Sequence, residues 1–291
     1  MSGPADGAAG AACDAHVHVF EPARFPYAPA RRFTPGRAGV DELQRHLRRI
    51  GAGRVVLVQP SVYGHDHGCL LDALAALRGA GRGVAVPAPD ATPEQIARLD
   101  AAGVRAARVN LVVEGIADAA AARQAVARAA ARIPAHWHVQ LHLRLETVHA
   151  LAGLLRTAGR HFVLDHLGLP DGPAALRSPA WRSLCGLVAA GAMSVKLSAP
   201  YLSAPAPYAA LRPFVRDLAS ANPGALVWGS NWPHTQGAAR SAAADPAQAE
   251  PFREVDDRAW LAQCRAWLAA QGLPAGTLEG NAARLYGFGA G

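Results

Sequence analysis

Short apolar runs alternate with amphipathic stretches eight times along this chain, and that alternation restricts it to a fold built from parallel βα units. The apolar runs read as strands over 14–19, 54–59, 83–88, 103–110, 138–143, 161–166, 193–198 and 226–230. Helical spacing covers about 41–50, 66–79, 93–101, 118–132, 146–158, 180–190, 206–220 and 257–270, with a short last helix near 281–285. Local signals support several of these. Thr92-Pro93-Glu94-Gln95 offers an N-cap, a proline at the first helical position and a glutamine three residues past the cap. Leu43, Leu47 and Ile50 line one helical face that stops at Gly51.

Eight such pairs fit an α/β chain closed into a (β/α)8 TIM barrel, whose active sites lie at the C-terminal strand ends and the loops beyond them. An open doubly wound sheet would place a glycine-rich turn after the first strand. The segment there, Phe20 to Val40, is instead long and rich in proline and arginine, a length that usually carries function. With 291 residues the chain accommodates one barrel domain over 13–288, preceded by a flexible tail over 1–12.

Hydrophobic residues make up 51% of the chain and charged ones 18%, which describes a globular protein with a large core. The net charge of +7 comes from scattered arginines, with Lys196 the only lysine. No basic run interleaved with aromatics is present, so nucleic acid is not expected, whereas a small anionic substrate is. Cys13, Cys69, Cys185 and Cys264 form no Cys-x-x-Cys pair, and reduced cytoplasmic thiols are the default. No leader pattern and no apolar run long enough for a membrane span are seen.

Side chains alternate across a strand, so parity selects the residues that face the barrel interior. The first strand offers His16 and His18 on the face shared with Asp14, and the second ends in Gln59 and Ser61. The fourth offers Arg108 and Asn110, and the fifth His138, Gln140 and His142. His166 closes the sixth, Lys196 and Ser198 lie on the seventh, and Asn231 follows the eighth. Burying so many polar groups costs several kcal/mol unless they pair or meet a ligand, and one site at the C-terminal mouth accounts for them together.

Seven stretches carry a family resemblance: Asp14-Ala15-His16-Val17-His18, Val58 to Gly64, Gly103 to Arg108, Asp165-His166-Leu167-Gly168, Val195-Lys196-Leu197-Ser198, Trp228 to His234 and Asn281 to Gly287. In this order the chain resembles the amidohydrolase superfamily with its metallo-dependent hydrolase-like barrel, in the amidohydrolase-related group of 2-pyrone-4,6-dicarboxylate lactonase, sugar lactonases and lactone isomerases. The resemblance implies that His16, His18 and His166 form the centre of the site, with His142 beside them. Metal-dependent relatives carry an aspartate where this chain has Asn231. An amide is neither a general base near neutral pH nor a good metal donor. No cofactor is therefore favoured; a divalent metal such as zinc, if bound, would take His16, His18, His142 and His166. Of the group's substrate-binding arginines Arg108 is matched, while Glu114 and Leu202 stand where others are expected, which argues against a dicarboxylate pyrone.

The expected chemistry is hydrolysis of a small carboxylated or hydroxylated lactone. His16 and His18 donate to the carbonyl oxygen, His166 acts as general base with a pKa near its ordinary ~6.5, and Asn231 orients water. Arg108 grips a substrate carboxylate through two bonds, and Ser61, His142, Ser198 and His234 contact substrate. Lactone isomerisation by acyl migration, a zinc-dependent hydrolase and a non-catalytic binding protein are the alternatives. Structural readings suffice for His65 and His67 in a loop, for Lys196 as counter-ion of a buried carboxylate such as Asp14, and for Asp256 as an N-cap. Asp257 is read as first-turn, or as supplying the carboxylate that position 231 lacks. Trp260 and Trp267 share a helical face as core or dimer contacts, which leaves a homo-oligomer open.

Overall fold

A computed structural model describes residues 12–236 and 248–289. Its eight parallel strands follow one another in chain order around a single sheet. They are β1 Ala12–Val17, β2 Ala52–Val58, β3 Gly81–Ala85, β4 Val104–Asn110, β5 His138–His142, β6 Phe162–Leu164, β7 Met193–Leu197 and β8 Leu226–Trp228. Among the described residues, the helices of nine residues or more between and after them are α1 Val40–Ile50, α2 Gly68–Ala76, α3 Pro93–Ala101, α4 Ala119–Arg132, α5 Leu145–Thr157, α6 Pro179–Ala189, α7 Arg212–Ala221 and α8 Asp257–Ala269, and a single turn, Leu111–Glu114, precedes α4. A last helix, α9 Thr277–Tyr286, is longer than the 281–285 expected because Thr277 through Gly280 extend its first turn. The tail expected over 1–12 lies outside the described residues except for Ala12, which already belongs to β1.

The barrel is closed by chain that runs on past β8. Asn231 N donates to His16 O and His18 N donates to Trp232 O, both at 2.8 Å, in a parallel bridge between Val17 and Trp232. Gly229 permits this approach, since a Cβ there would lie 2.7 Å from the His16 Cβ. The capping signals hold: Thr92 and Gln95 form a reciprocal capping box at α3, and α1 ends on Gly51 with φ +70°.

Apolar packing divides into two shells. Val55, Leu57, Val104, Val139, Leu141, Phe162, Leu164, Val195 and Leu197 pack outward against the helices. Cys13, Ala15, Val56, Val58, Val84, Ala106 and Val227 fill the lower interior, and Ala282, Tyr286 and Phe288 close it from below. Asn281 of α9 ties that floor to the barrel by donating to Pro223 O and Leu226 O, each at 2.7 Å. Apolar side chains fill the lower interior, and the polar ones gather toward the C-terminal end, where barrels of this kind place their chemistry. Trp260 and Trp267 are buried in edge-to-face contact at 5.7 Å, so they belong to the core.

The Pro- and Arg-rich segment after β1 crosses that open end. Thr34–Pro35 pairs with Ala249–Glu250 from the segment after β8, and Phe20 stacks on Phe252 at 6.2 Å. Among the described residues, no helix is long and apolar enough to cross a membrane.

Candidate active site

Strict alternation fails first in β1. The register with β2 shifts between Asp14 and Val17, so Ala15 and His16 both turn inward while Asp14 swings toward α1. Asp14 Oδ2 stands 3.2 Å from His46 Nε2, and its Oδ1 accepts from Ser230 N at 2.8 Å. The expected shared face of Asp14 with His16 and His18 is thus corrected, and with it the pairing of Asp14 with Lys196. β2 is reversed relative to the parity reading. Val56 and Val58 fill the interior, and Gln59 turns out of it to donate to Gly64 O and Asp66 O. Ser61 begins a 3-10 turn and is half-buried rather than packed into the histidine cluster.

Asp165 is the electrostatic hub. It follows β6, where Phe162 and Leu164 face the helices, so parity carries it inward. Its Oδ2 accepts from Arg108 Nε and Nη2 at 3.3 and 3.1 Å and from Gln140 Nε2 at 3.1 Å. Its Oδ1 lies 3.2 Å from His16 Nδ1 and 3.8 Å from Lys196 Nζ. Burial alone would raise the pKa of this carboxyl, but His16, Lys196 and Arg108 hold it well below the usual range. Burial brings Lys196 down to about 7, with Asp165 acting in the opposite direction.

Above Asp165 the histidine rings cluster. Ring centroids of His16 lie 5.0 Å from those of His18 and 4.8 Å from those of His166, and His142 lies 5.0 Å from His166. His16 is fully buried at the base of the group, whereas His18, His142 and Asn231 keep 7–8% of their surface and form its rim. His166 joins the cluster because its φ of +54° turns the chain sharply after Asp165, bringing two successive side chains to one place.

Hydrogen bonds fix the ring tautomers. His18 Nδ1 is 2.7 Å from Val58 O, a pure acceptor, so Nδ1 carries the proton and Nε2 holds a lone pair. His142 Nδ1 is likewise 2.9 Å from Asn110 Oδ1, an oxygen that also accepts from Val113 N. Burial lowers the pKa of His18 to about 3 and holds His142 well below its usual value, so both rings are neutral acceptors at neutral pH. His18 therefore does not donate to a carbonyl, as the pattern alone suggested. Burial also brings His166 down to about 4, well under the ordinary value. Its Nδ1 is 2.8 Å from Ser198 Oγ.

Arg108 is similarly redirected. Its Nε–Nη2 edge is engaged by Asp165, so a two-bond grip on a substrate carboxylate through that edge is excluded. Asn231 Nδ2 donates to Tyr201 Oη at 2.8 Å, while Asn231 Oδ1, His16 Nε2 and His142 Nε2 are buried without a protein partner. Atoms of this kind favour a ligand, since each would otherwise cost about 1–3 kcal/mol. His234 stands behind the rim, with Nε2 2.9 Å from Asp257 Oδ2, and it packs edge-on against Tyr201 at 5.8 Å. Asp257 serves that histidine rather than replacing the missing carboxylate at 231. Asp256 caps α8 through Ala259 N.

His65 and His67 clamp the chain after β3. His65 Nδ1 meets Val86 O at 2.9 Å, and Val86 N donates to His67 Nε2 at 3.3 Å. Asp165 enters the sequence reading only as part of a family stretch, without a role, and Tyr201 does not enter it. The first leaves a signal, a carboxylate ending an otherwise apolar run, whereas nothing marks the second.

Known proteins bear on this geometry. The profile described as amidohydrolase matches residues 13–288. The chain belongs to the amidohydrolase family. This amidohydrolase is 30% identical over 228 residues to 4-sulfomuconolactone hydrolase of Hydrogenophaga intermedia, a match that spans 76% of this chain and 74% of the relative. D-galactarolactone isomerase of Agrobacterium fabrum is 27% identical over 227 residues, 77% of this chain and 76% of the isomerase. The apo crystal structure of an Agrobacterium tumefaciens protein shares the fold with a TM-score of 0.77 at 24% identity, over 96% of each chain.

Proposed function

We propose that this amidohydrolase opens a small lactone bearing a carboxylate or hydroxyl groups, by water attack on the ring carbonyl. The observation that carries the reading is the gathering of His16, His166, Arg108 and Asp165 with the unpartnered Asn231 Oδ1 at the C-terminal mouth. Similarity to a lactone hydrolase and a lactone isomerase supports the same bond class.

In this scheme His16 meets the carbonyl oxygen through Nε2, and Arg108 turns its remaining N–H groups toward the negative charge that develops there. A preorganised donor of this kind contributes about 3 kcal/mol to the transition state. Neutral His166 takes a proton from water held by Asn231 Oδ1, the water oxygen bonds to the carbonyl carbon, and the ring C–O bond breaks. The proton on His166 then passes to the departing ring oxygen. His18 Nε2 and His142 Nε2, both lone pairs, accept from substrate hydroxyls.

The reading requires no metal. His16, Asp165 and His166 present three potential ligand atoms within 4.8 Å of one another. Arg108 at 3.1 Å and Lys196 at 3.8 Å already balance Asp165, however, and a divalent cation would sit beside two buried positive groups. That carboxylate-bearing trio is therefore poorly suited to one, and no step here runs through a metal.

A second reading is favoured by one residue. With Asn231 in place of a carboxylate, His166 can take its proton from a substrate hydroxyl, and the acyl group then migrates within the substrate. A panel of sugar lactones and unsaturated carboxylated lactones separates the outcomes when followed by acid release and by NMR after treatment with a strong chelator. Acid release that survives the chelator supports hydrolysis, and a ring-shifted product without acid release supports isomerisation. If the whole panel stays unchanged, or turnover disappears with the chelated metal, the proposal fails.

A further inference from the structure

Lys196 takes no part in the chemistry above, yet it lies fully buried beneath the histidine that meets the carbonyl. Its Nζ donates to Ala15 O at 2.8 Å and to Gln140 Oε1 at 2.7 Å. As an ammonium, the form that Asp165 favours, Nζ keeps a third N–H. His16 Nδ1 is aligned to accept it at 3.4 Å, whereas Asp165 Oδ1 is farther off at 3.8 Å. Gln140 keeps the arrangement in register, because its Oε1 accepts from Lys196 while its Nε2 donates to Asp165 Oδ2.

A neutral imidazole carries one N–H, and the partner at one nitrogen decides where it sits. His16 has two competitors at Nδ1. Asp165 Oδ1, 3.2 Å away, would draw the proton to Nδ1, but the contact is not aligned for a hydrogen bond. Lys196 presents a donor there, which Nδ1 can accept only when it is bare. We infer that Lys196 is a positioning residue that keeps the His16 proton on Nε2, the nitrogen left without a protein partner and free to donate into the site.

Without that lysine nothing opposes Asp165, and the proton moves to Nδ1. Nε2 would then present a lone pair to the carbonyl oxygen, repelling the charge it is meant to stabilise. Tyr286 holds the ammonium from below, its ring centroid 5.7 Å from Nζ. The inference rests on the lactone reading only for the identity of the atom that His16 meets.

Two-dimensional nitrogen–proton NMR of the histidine rings tests it, with the His16 signals assigned by their loss in His16→Gln. The expected wild-type spectrum shows His16 as the Nε2–H tautomer. In Lys196→Met it converts to the Nδ1–H form, and kcat falls on the order of a hundredfold with KM little changed. An Nδ1–H tautomer in the wild-type protein overturns the inference, as does an unchanged tautomer in the folded variant. Should Lys196→Met fail to fold, the wild-type spectrum decides alone. The tautomer is read without substrate, so an Nε2–H signal in a protein that turns over no lactone would support this inference while removing the lactone reading.

Discussion

Asp165→Asn is expected to lower stability by about 3–5 kcal/mol and to abolish most activity, the largest combined effect of any single substitution in the site. The exchange preserves shape, removes the charge and turns one acceptor oxygen into a donor. Arg108 and Lys196 are both buried and share this carboxylate as their counter-charge, at 3.1 and 3.8 Å. With an amide at 165 Arg108 is left buried without its counter-charge, and Lys196, already brought down by burial, loses the carboxylate that supports its charged form. The loss is a large part of the roughly 5–15 kcal/mol that holds a domain folded. Urea unfolding reads it as a lower midpoint at unchanged slope. Activity falls for a separate reason, since Arg108 loses the anchor that aims its free edge at the substrate. A change in stability below about 1 kcal/mol would show that Asp165 is not the hub described here.

His166→Gln is expected to lower kcat by about 10²–10⁴, the usual contribution of a positioned general base. The pH profile carries a sharper signature. Burial holds the ring near 4, so kcat/KM should stay level from neutral pH down toward pH 4 and fall only below it. An acid limb near 6.5 would contradict the environment described for this ring. Stability follows in a stated direction. Between a native value near 4 and an unfolded value near ~6.5 the unfolded state binds more protons, so stability rises with pH across that window. The contribution is complete above about 6.5 and falls by about 1.4 kcal/mol for each unit below it. His18, brought by burial to about 3, adds a slope of the same sign. Urea midpoints at pH 4.5 and 7 should differ less in His166→Gln than in the wild-type protein.

The eight βα units were legible because each strand is short and carries apolar residues on at least one face, and each is followed by a helical period, several of them with their own start or stop signal. Inward parity held for Arg108, Asn110, Gln140, His142 and Lys196 on their strands, and for Ser198 directly after β7. It failed in β1 and at His166, where the backbone is irregular, and in β2, where the face taken as inward packs against the helices. The bulge after Asp14 separated that residue from His16, and the turn at His166 let Asp165 share the interior with its neighbour. Gln59 misled because a strand-end glutamine serves equally to hold a loop, and Gly64 O and Asp66 O supply that loop. Ring tautomers were beyond reach for a different reason. They depend on partners such as Val58 O and Asn110 Oδ1, which only the closed barrel brings to the rings. Tyr201 belongs to the same class, since it reaches Asn231 from a turn after β7 that carries no periodic signal.

Solvent labelling tests the central claim most directly, namely that water held beside Asn231 and His166 attacks a lactone carbonyl without a metal. Chelator-treated enzyme is given a lactone that it turns over, in water enriched in oxygen-18, and the product is weighed by mass spectrometry. The account predicts one heavy oxygen in the new carboxylate at each turnover, at the rate of untreated enzyme. Unlabelled product, or turnover restored only by adding back a divalent metal, would contradict it.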